Sequence, residues 1–167
     1  MHLSWPRARQ VPSLPQLREI TPPELALALA NQTIQIIDLR TCMAFRQAHI
    51  AEAKWSIRPR AATIIDHGKQ IALIADKPEI AALAAIDLQE AGARDIRLVC
   101  GGAADWRAAG FSISATPNDP NDADAIDFLF FAHARHDGDA EAARQYLAWE
   151  TGLIDQLDAQ ERGSFRL

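Results

Sequence analysis

Three short apolar runs, separated by stretches with helical character, constrain the fold of this chain more than any other feature of its sequence. The runs are residues 33–37, 71–74 and 96–99, and their length and apolar content are typical of buried strands. Strands that alternate with helical stretches predict βαβ units and a parallel sheet. We therefore expect an α/β fold in which helices flank a parallel sheet.

The helix signals between these strands place the turns of the chain. Thr21 is a suitable N-cap, with Pro22 in the first turn and Glu24 at the third helical position. A second, Ala-rich helix is predicted over residues 81–90. A tight strand–loop–helix turn precedes it, and such a turn directs backbone N–H groups and a helix N-terminus at one point. That arrangement stabilises an anion or a thiolate.

The loop in this turn has six residues and carries no nucleophile at its start. Its sequence is Ala75, Asp76, Lys77, Pro78, Glu79 and Ile80. Pro78 lacks the amide donor that the loop would otherwise direct at an anion. The two carboxylates near the helix N-terminus already satisfy the dipole that would attract an anion. We therefore expect this turn to be poorly suited to bind or ionise a reactive group.

Four groups of residues, in this order along the chain, resemble the motifs of rhodanese-like (sulfurtransferase) domains. They are Asp38-Leu39-Arg40 with Phe45 and Ala48-His49-Ile50, residues 53–60, the loop at 75–80, and Gly101-Gly102 with Trp106-Arg107 and Gly110-Phe111. The resemblance covers residues 20–113. It implies a rhodanese-like parallel sheet flanked by helices, and an active-site loop at 75–80.

The resemblance also implies what the loop has lost. It places Ala75 at the position of the sulfur-carrying cysteine, and Ile80 at a position that is often basic or hydroxyl-bearing in the family. Family loops commonly carry glycine and cationic residues, whereas this loop holds Asp76, Pro78 and Glu79. Sulfur transfer needs a thiolate and a cradle that keeps it ionised. We therefore expect a degenerate site with the catalytic cysteine replaced by alanine, and no catalytic residue.

The two cysteines leave an enzymatic interpretation open. Cys42 follows the first predicted strand and Cys100 follows the third, and the carboxyl ends of parallel strands share one edge of a sheet. Either cysteine could carry sulfane sulfur if a neighbouring arginine lowered its pKa. The structural interpretation is that both are small, partly buried apolar residues, as unpaired cysteines usually are. We favour the structural interpretation because neither lies in a loop shaped to hold a thiolate.

The expected rim of the site consists of Arg40, Arg58, Arg60, Cys42 and Cys100. Arg58 and Arg60 could form an edge that binds a small anion. Asp38 and Arg40 are expected to connect strand ends and loops rather than to perform chemistry. His49 is expected to make a fixed hydrogen bond rather than to act as a base. We expect no cofactor.

Length and composition predict one domain with appended segments. The chain has 167 residues, of which 49% are apolar, enough for a sizeable core. We expect an irregular N-terminal arm at 1–17, the rhodanese-like domain at 18–116 and a C-terminal helical extension at 117–167. No apolar run approaches the roughly 18 residues of a membrane helix, and the first residues lack an apolar secretory region. The expected location is the cytoplasm.

The extension is predicted to form a helical hairpin. Residues 125–134 contain a dense apolar run, and apolar residues from 139 onward recur at the spacing of an amphipathic helix. Packing within the chain is favoured, because large exposed apolar patches are rare on monomers. A protein partner, or a homodimer formed through these helices, is the alternative. The ligand types His133, His136, Asp137 and Asp139 are explained by capping of a turn, so we expect no metal.

Charge is distributed unevenly along the chain. Residues 1–117 hold 13 Lys and Arg against 11 Asp and Glu, whereas residues 118–167 hold 4 against 11. Neither part is basic enough to suggest nucleic-acid binding. The acidic segment could serve as a docking surface for a basic partner.

Two functions are therefore compatible with the sequence. The first is a rhodanese-like domain that has lost its sulfur carrier and acts as a binding or regulatory module. The second is a sulfurtransferase that carries sulfane sulfur on Cys42 or Cys100. A phosphatase of the dual-specificity type is excluded, since that chemistry also needs the loop cysteine. Ala75 and its carboxylate-bearing loop favour the binding module.

Overall fold

The computed structural model describes residues 13–129 and 139–153. The chain divides into two compact units, Met1–Pro120 and Asn121–Leu167. The described part of the first unit contains β1 (Arg18–Ile20), α1 (Pro22–Ala30), β2 (Ile34–Asp38), α2 (Cys42–Gln47), β3 (His49–Ile50), β4 (Lys54–Trp55), α3 (Arg58–Ala61) with a 3-10 turn (Ala62–Ile64), β5 (Gln70–Ile74), α4 (Pro78–Glu90), β6 (Ile96–Val99), α5 (Ala103–Ala108) and β7 (Ile113–Ser114). The described part of the second unit contains α6 (Ala140–Gly152).

The first unit is built on a five-stranded parallel sheet in the order β1-β6-β5-β2-β4. The three predicted strands are β2, β5 and β6, and their bounds differ from the prediction by at most one residue at either end. The predicted α/β class is therefore confirmed. Two further strands, β3 and β7, form a separate antiparallel pair in which His49 lies opposite Ser114.

Side chains of the central strands alternate between two cores, one on each face of the sheet. In β5, Ala72 and Ile74 belong to the first core, and Ile71 and Leu73 belong to the second. Successive residues of a strand point to opposite faces, so a run that is apolar throughout serves both cores. The first core is Ile20, Leu25, Ile34, Ile36, Phe45, Ile50, Ala53, Ala72, Ile74, Val99 and Trp106; the second is Ile37, Leu39, Ala61, Ile71, Leu73, Ala81, Ala84, Ala85, Leu88 and Ile96.

Helix α1 begins as its sequence predicts. Thr21 is the N-cap, and its backbone N–H and its hydroxyl both donate to the Glu24 carboxylate, at 2.9 and 2.8 Å. These bonds lower the pKa of Glu24. The helix ends at Ala30 and places Leu25 fully in the first core.

The bounds of α4 correct a prediction. The helix begins at Pro78 and not at residue 81, so the predicted six-residue loop contains only three residues outside the helix. Proline is well suited to the first helical position, since its fixed φ fits the helix and its missing N–H is not needed there. The Ala-rich face of α4 then packs on the second core through Ala81, Ala84 and Ala85.

The boundary between the units lies at Pro120, four residues beyond the predicted end of the domain. Pro120 is buried, and its carbonyl accepts hydrogen bonds from the guanidinium of Arg46, with 3.0 Å from Nε. Thr116 N–H also donates to the Arg46 carbonyl, at 2.9 Å. The first four residues of the predicted C-terminal extension, 117–120, therefore belong to the first unit. Residues 1–12 of the predicted N-terminal arm lie outside the described residues, and residues 13–17 have no regular structure.

The second unit contains turns followed by a helix. Residues 122–128 form consecutive turns rather than the helix predicted from residue 125 onward, while α6 matches the predicted amphipathic helix from its N-cap Asp139 to Gly152. The Asp139 carboxylate accepts hydrogen bonds from the N–H groups of Glu141 and Ala142. Residues 130–138 and 154–167 of the predicted hairpin lie outside the described residues. In the parts that are described, no helix has the length and apolarity to cross a membrane.

Candidate functional site

The loop after β5 is short and offers few donors to a bound group. Ala75 is half-buried and packs against the second core, while Asp76 and Lys77 are exposed. Lys77 is the N-cap of α4, with φ −135° and ψ 136°, and its side chain makes no capping hydrogen bond. Pro78 has no N–H, and the N–H of Ile80 donates to the Lys77 carbonyl at 3.0 Å. Glu79, exposed in the first turn, adds negative charge where an anion would approach.

Arg40 is held in place by the carboxylate of Asp38. Its Nε donates to both carboxylate oxygens at 3.0 and 3.1 Å, and its Nη2 donates to Oδ2 at 2.6 Å and to the Ala48 carbonyl at 2.8 Å. The guanidinium also lies over the ring of Trp106, 5.2 Å from its centroid. Asp38 is fully buried, and the Arg40 side chain is 14% exposed. These contacts give Arg40 the connecting role that its motif suggests.

Two indole groups extend this network along the carboxyl edge of the sheet. Trp55 Nε1 donates to the Arg40 carbonyl at 2.9 Å, and Trp106 Nε1 donates to the Cys100 carbonyl at 3.1 Å. The ends of β4, β2 and β6 are therefore connected through side chains. In the described residues, no buried side-chain nitrogen or oxygen lacks a hydrogen-bond partner.

Arg58 is paired with a residue that the sequence did not single out. Its Nε and Nη2 donate to the two carboxylate oxygens of Asp87, at 2.6 and 3.0 Å, and this bond connects α3 to α4. The hydrogen bond from Arg58 lowers the pKa of Asp87, and the same bond raises the pKa of Arg58. Both side chains are partly exposed, so the pair is weakened by salt. Arg60 is also exposed and lies in the same short helix.

Cys42 is fully buried. It is the first residue of α2, after the N-cap Thr41, whose hydroxyl accepts a hydrogen bond from the Ala44 N–H at 3.3 Å. A sulfur carrier must meet its donor and acceptor molecules, and a thiol with no exposed surface cannot do so unless the surrounding structure opens. The position of Cys42 therefore opposes the enzymatic interpretation.

Cys100 is partly buried at the end of β6. Burial raises the pKa of its thiol, and the carboxylate of Glu19 in the neighbouring strand β1 raises it further through a hydrogen bond and through its charge. Sulfur carriers need the opposite environment, in which cations and amides lower the thiol pKa. Glu19 could not be recognised as a partner from the sequence, because β1 was not predicted as a strand.

His49 makes the fixed contact that its motif suggests. Its Nδ1 lies 2.7 Å from the Phe45 carbonyl, and its ring stacks on the Phe45 ring with centroids 3.7 Å apart. The residue is 4% exposed. The geometry agrees with a structural rather than a catalytic histidine.

The sheet topology brings only some of the predicted site residues to one edge. Ala75 and Cys100 follow adjacent strands of the parallel sheet, and Arg40 lies two residues beyond β2 on the other side of β5. A cavity of about 720 Å³ opens beside the start of α4, with Pro78, Glu79 and residues 14–19 in its walls. Ala75 does not line it. In the described ranges no group of three or more metal-ligating side chains occurs, and His133, His136 and Asp137 lie outside those ranges.

Comparison with solved structures identifies the class of fold. The Alr3790 protein from Anabaena sp., whose rhodanese-like domain has also been solved by NMR, superposes with a TM-score of 0.51 at 21% identity, covering 58% of this chain and 92% of that one. The BH2092 protein from Bacillus halodurans superposes with a TM-score of 0.50 at 18% identity, covering 60% and 78%. The first unit therefore has a rhodanese-like fold.

A larger enzyme has the same fold in part. Thiosulfate sulfurtransferase from Pseudomonas aeruginosa superposes with a TM-score of 0.58 at 22% identity. The match covers 92% of this chain but only 29% of that enzyme. Neither a protein family nor a curated protein matches the sequence. Likeness at these identities establishes the fold, and function has to be argued from the site itself.

Proposed function

We propose that this chain is a catalytically degenerate rhodanese-like domain that acts as a binding or regulatory module. The observation that carries the proposal is Ala75, which follows the central strand β5 in the position that the family resemblance gives to the sulfur-carrying cysteine. An alanine methyl group cannot accept sulfur, and the exposed Asp76 and Glu79 beside it disfavour a thiolate.

The environments of the two cysteines support the same proposal. Sulfane-sulfur transfer on Cys42 would require a fully buried thiol to reach a donor molecule. Transfer on Cys100 would require ionisation of a thiol whose pKa is raised by burial and by Glu19. The sulfurtransferase alternative therefore needs the structure to open at Cys42, or a thiol to ionise against a raised pKa at Cys100, whereas the binding module needs neither.

Two further parts of the proposal concern ligands. A small anion at the rim would be bound by Arg58 and Arg60, but Arg58 would first have to leave Asp87, so we expect only weak, salt-sensitive binding. A protein partner, or a homodimer through the second unit, would use exposed apolar side chains of α6, namely Leu147 and Trp149. We further propose that the domain functions in the cytoplasm.

The test of the central proposal is the intact mass of the protein after incubation with thiosulfate, before and after a thiol reductant. We expect no change in mass. A reducible adduct of one sulfur atom, mapped by the variants Cys42→Ala and Cys100→Ala, would identify a relocated sulfur carrier and overturn the proposal. Thiocyanate formation from thiosulfate and cyanide provides a second readout, and we expect none above a blank without protein.

The variant Ala75→Cys tests whether the alanine alone explains the loss. We expect a slow gain of the sulfur adduct and only weak turnover, because Asp76 and Glu79 oppose ionisation of the new thiol and Pro78 provides no amide. The triple variant that also carries Asp76→Gly and Glu79→Gly is the matched control, and we expect it to react faster. Robust turnover in the single variant would show that the carboxylates matter little.

A further inference from the structure

The second unit exposes apolar side chains out of proportion to its size. Among the described residues, five of the seven large exposed apolar side chains lie between 121 and 153: Ile126, Leu129, Leu147, Trp149 and Leu153. A groove of about 420 Å³ runs along residues 122–129 and is completed by Gln145 of α6. The groove has an apolar lining, formed by Ala125, Ile126, Phe128 and Leu129. Ile126 is 51% exposed and Leu129 is 40% exposed.

Backbone hydrogen bonds within the turns hold this groove in shape. The N–H groups of Asp124 and Ala125 donate to the Asn121 carbonyl at 3.1 and 3.0 Å, and the Asn121 side-chain oxygen accepts from Ala123 and Asp124. Phe128 N–H then donates to the Ala125 carbonyl at 3.2 Å. The apolar side chains are therefore presented by a hydrogen-bonded turn structure, and not by an extended segment.

The charge of the unit selects the kind of partner. Residues 121–167 contain ten Asp and Glu but only four Arg and no Lys, so the arginines cannot neutralise the carboxylates whatever pairs they form. The resulting negative field attracts cations and repels anionic surfaces. A second copy of the unit would bring two net charges of −6 together, which opposes a homodimer through this surface. Nucleic acids and anionic lipids are disfavoured for the same reason.

We propose that this groove docks a basic protein segment that carries apolar side chains, as a basic amphipathic helix does. The apolar side chains of the segment would fill the groove, and its Lys and Arg side chains would lie against the surrounding carboxylates. The inference rests on the proposed function as a binding module and adds the chemistry of the partner. It does not involve the loop at Ala75, so it can fail without affecting the proposed loss of sulfur transfer.

The test uses the full chain and a fluorescein-labelled amphipathic peptide made of Leu and Lys, with binding followed by fluorescence anisotropy. We expect saturable binding that weakens as salt is raised. A peptide with Glu in place of Lys and a peptide with Ser in place of Leu are the controls, and we expect each to bind at least about tenfold more weakly. Equal binding of either control, or no binding of the Leu–Lys peptide up to about 1 mM at low salt, overturns the proposal.

Variants locate the binding surface. Ile126→Ser combined with Leu129→Ser should weaken binding about tenfold, because two exposed aliphatic contacts are removed. Leu27→Ser is the matched control, since Leu27 is 65% exposed in the first unit, and it should leave the affinity unchanged. An unchanged affinity in the double variant, or an equal loss in the control, would refute the assignment.

A second measurement keeps the test valid if the double variant loses its structure. Amide chemical shifts of the wild-type protein, recorded during titration with the Leu–Lys peptide, should change at residues 122–129 and at Gln145. Chemical-shift changes confined to the first unit would contradict the proposed groove.

A charge control uses the first unit. Glu52→Gln combined with Glu90→Gln removes two exposed charges from that unit and should leave the affinity for the Leu–Lys peptide unchanged. The thiosulfate mass experiment separately tests the proposed function.

Discussion

Replacement of Asp38 by Asn tests whether Arg40 is part of the scaffold or a ligand-binding group. The Asp38 carboxylate is fully buried and accepts from the Arg40 backbone N–H at 3.0 Å as well as from two donors of the guanidinium. An asparagine retains the size of the side chain, but it removes the charge and turns an NH₂ group towards a cation. Arg40 would remain largely buried without a carboxylate.

The expected loss is about 3 kcal/mol in the free energy of unfolding, since charge-assisted hydrogen bonds contribute roughly 1.5–3 kcal/mol each and a buried charge is left without its partner. Asp95→Asn provides the matched control. Asp95 is also bound by a guanidinium, that of Arg97, at 2.6 Å, but its side chain is 39% exposed. Solvent screening limits that loss to about 1 kcal/mol or less.

Urea unfolding followed by tryptophan fluorescence measures both losses, because Trp55 and Trp106 are hydrogen-bonded at this edge of the sheet. The double variant Asp38→Asn with Arg40→Met should recover part of the stability, since it removes the unpaired charge. A loss below about 1 kcal/mol in Asp38→Asn would refute the scaffold role. It would indicate that Arg40 is stabilised by other contacts and is available to a ligand.

Two other predictions concern residues near the carboxyl end of β6. Glu19→Gln should lower the pKa of the Cys100 thiol towards its ordinary value, because the neighbouring carboxylate is removed. Alkylation of Cys100 by iodoacetamide should then accelerate at a lower pH than in the wild type. Superimposable pH profiles of the two proteins would contradict the role of Glu19. Gly101→Ala should destabilise the domain by about 1–3 kcal/mol, because φ is +81° and the added Cβ would lie 2.9 Å from the Asp105 Cβ. Gly102→Ala meets no atom within 4 Å, and an equal thermal destabilisation there would refute the argument.

The main elements of the sheet were accessible from the sequence because local patterns specify them. The runs that became β2, β5 and β6 are rich in apolar residues because the sheet packs on both faces. Residues 71–74 are apolar throughout, whereas β2 contains Gln35 and β6 contains Arg97. The start of α1 was likewise predictable, since the cap and the glutamate that bonds to it lie three residues apart. The short edge strand β1 has only three residues, two of them exposed, and it gave no comparable signal.

The start of α4 shows how a local pattern can be misread. The Ala-rich pattern predicts that the helix begins at residue 81, which leaves residues 75–80 as a loop. Pro78 is instead the first residue of the helix, a position that proline favours. The sequence is compatible with a helix that begins at Pro78 and with one that begins at residue 81. Only the position of the helix on the sheet distinguishes these two starts.

The sequence by itself determined the α/β class, the positions of the three main strands along the chain and the absence of a nucleophile at Ala75, since these depend on residue type and on spacing along the chain. The tertiary structure decided which partners the rim residues contact. Arg58 meets Asp87 across 29 positions, and Cys100 meets Glu19 across the β1–β6 pair. No local pattern encodes such pairs, because the partners become neighbours only when the strands and helices pack. Their charges and burial then set the pKa values on which reactivity depends.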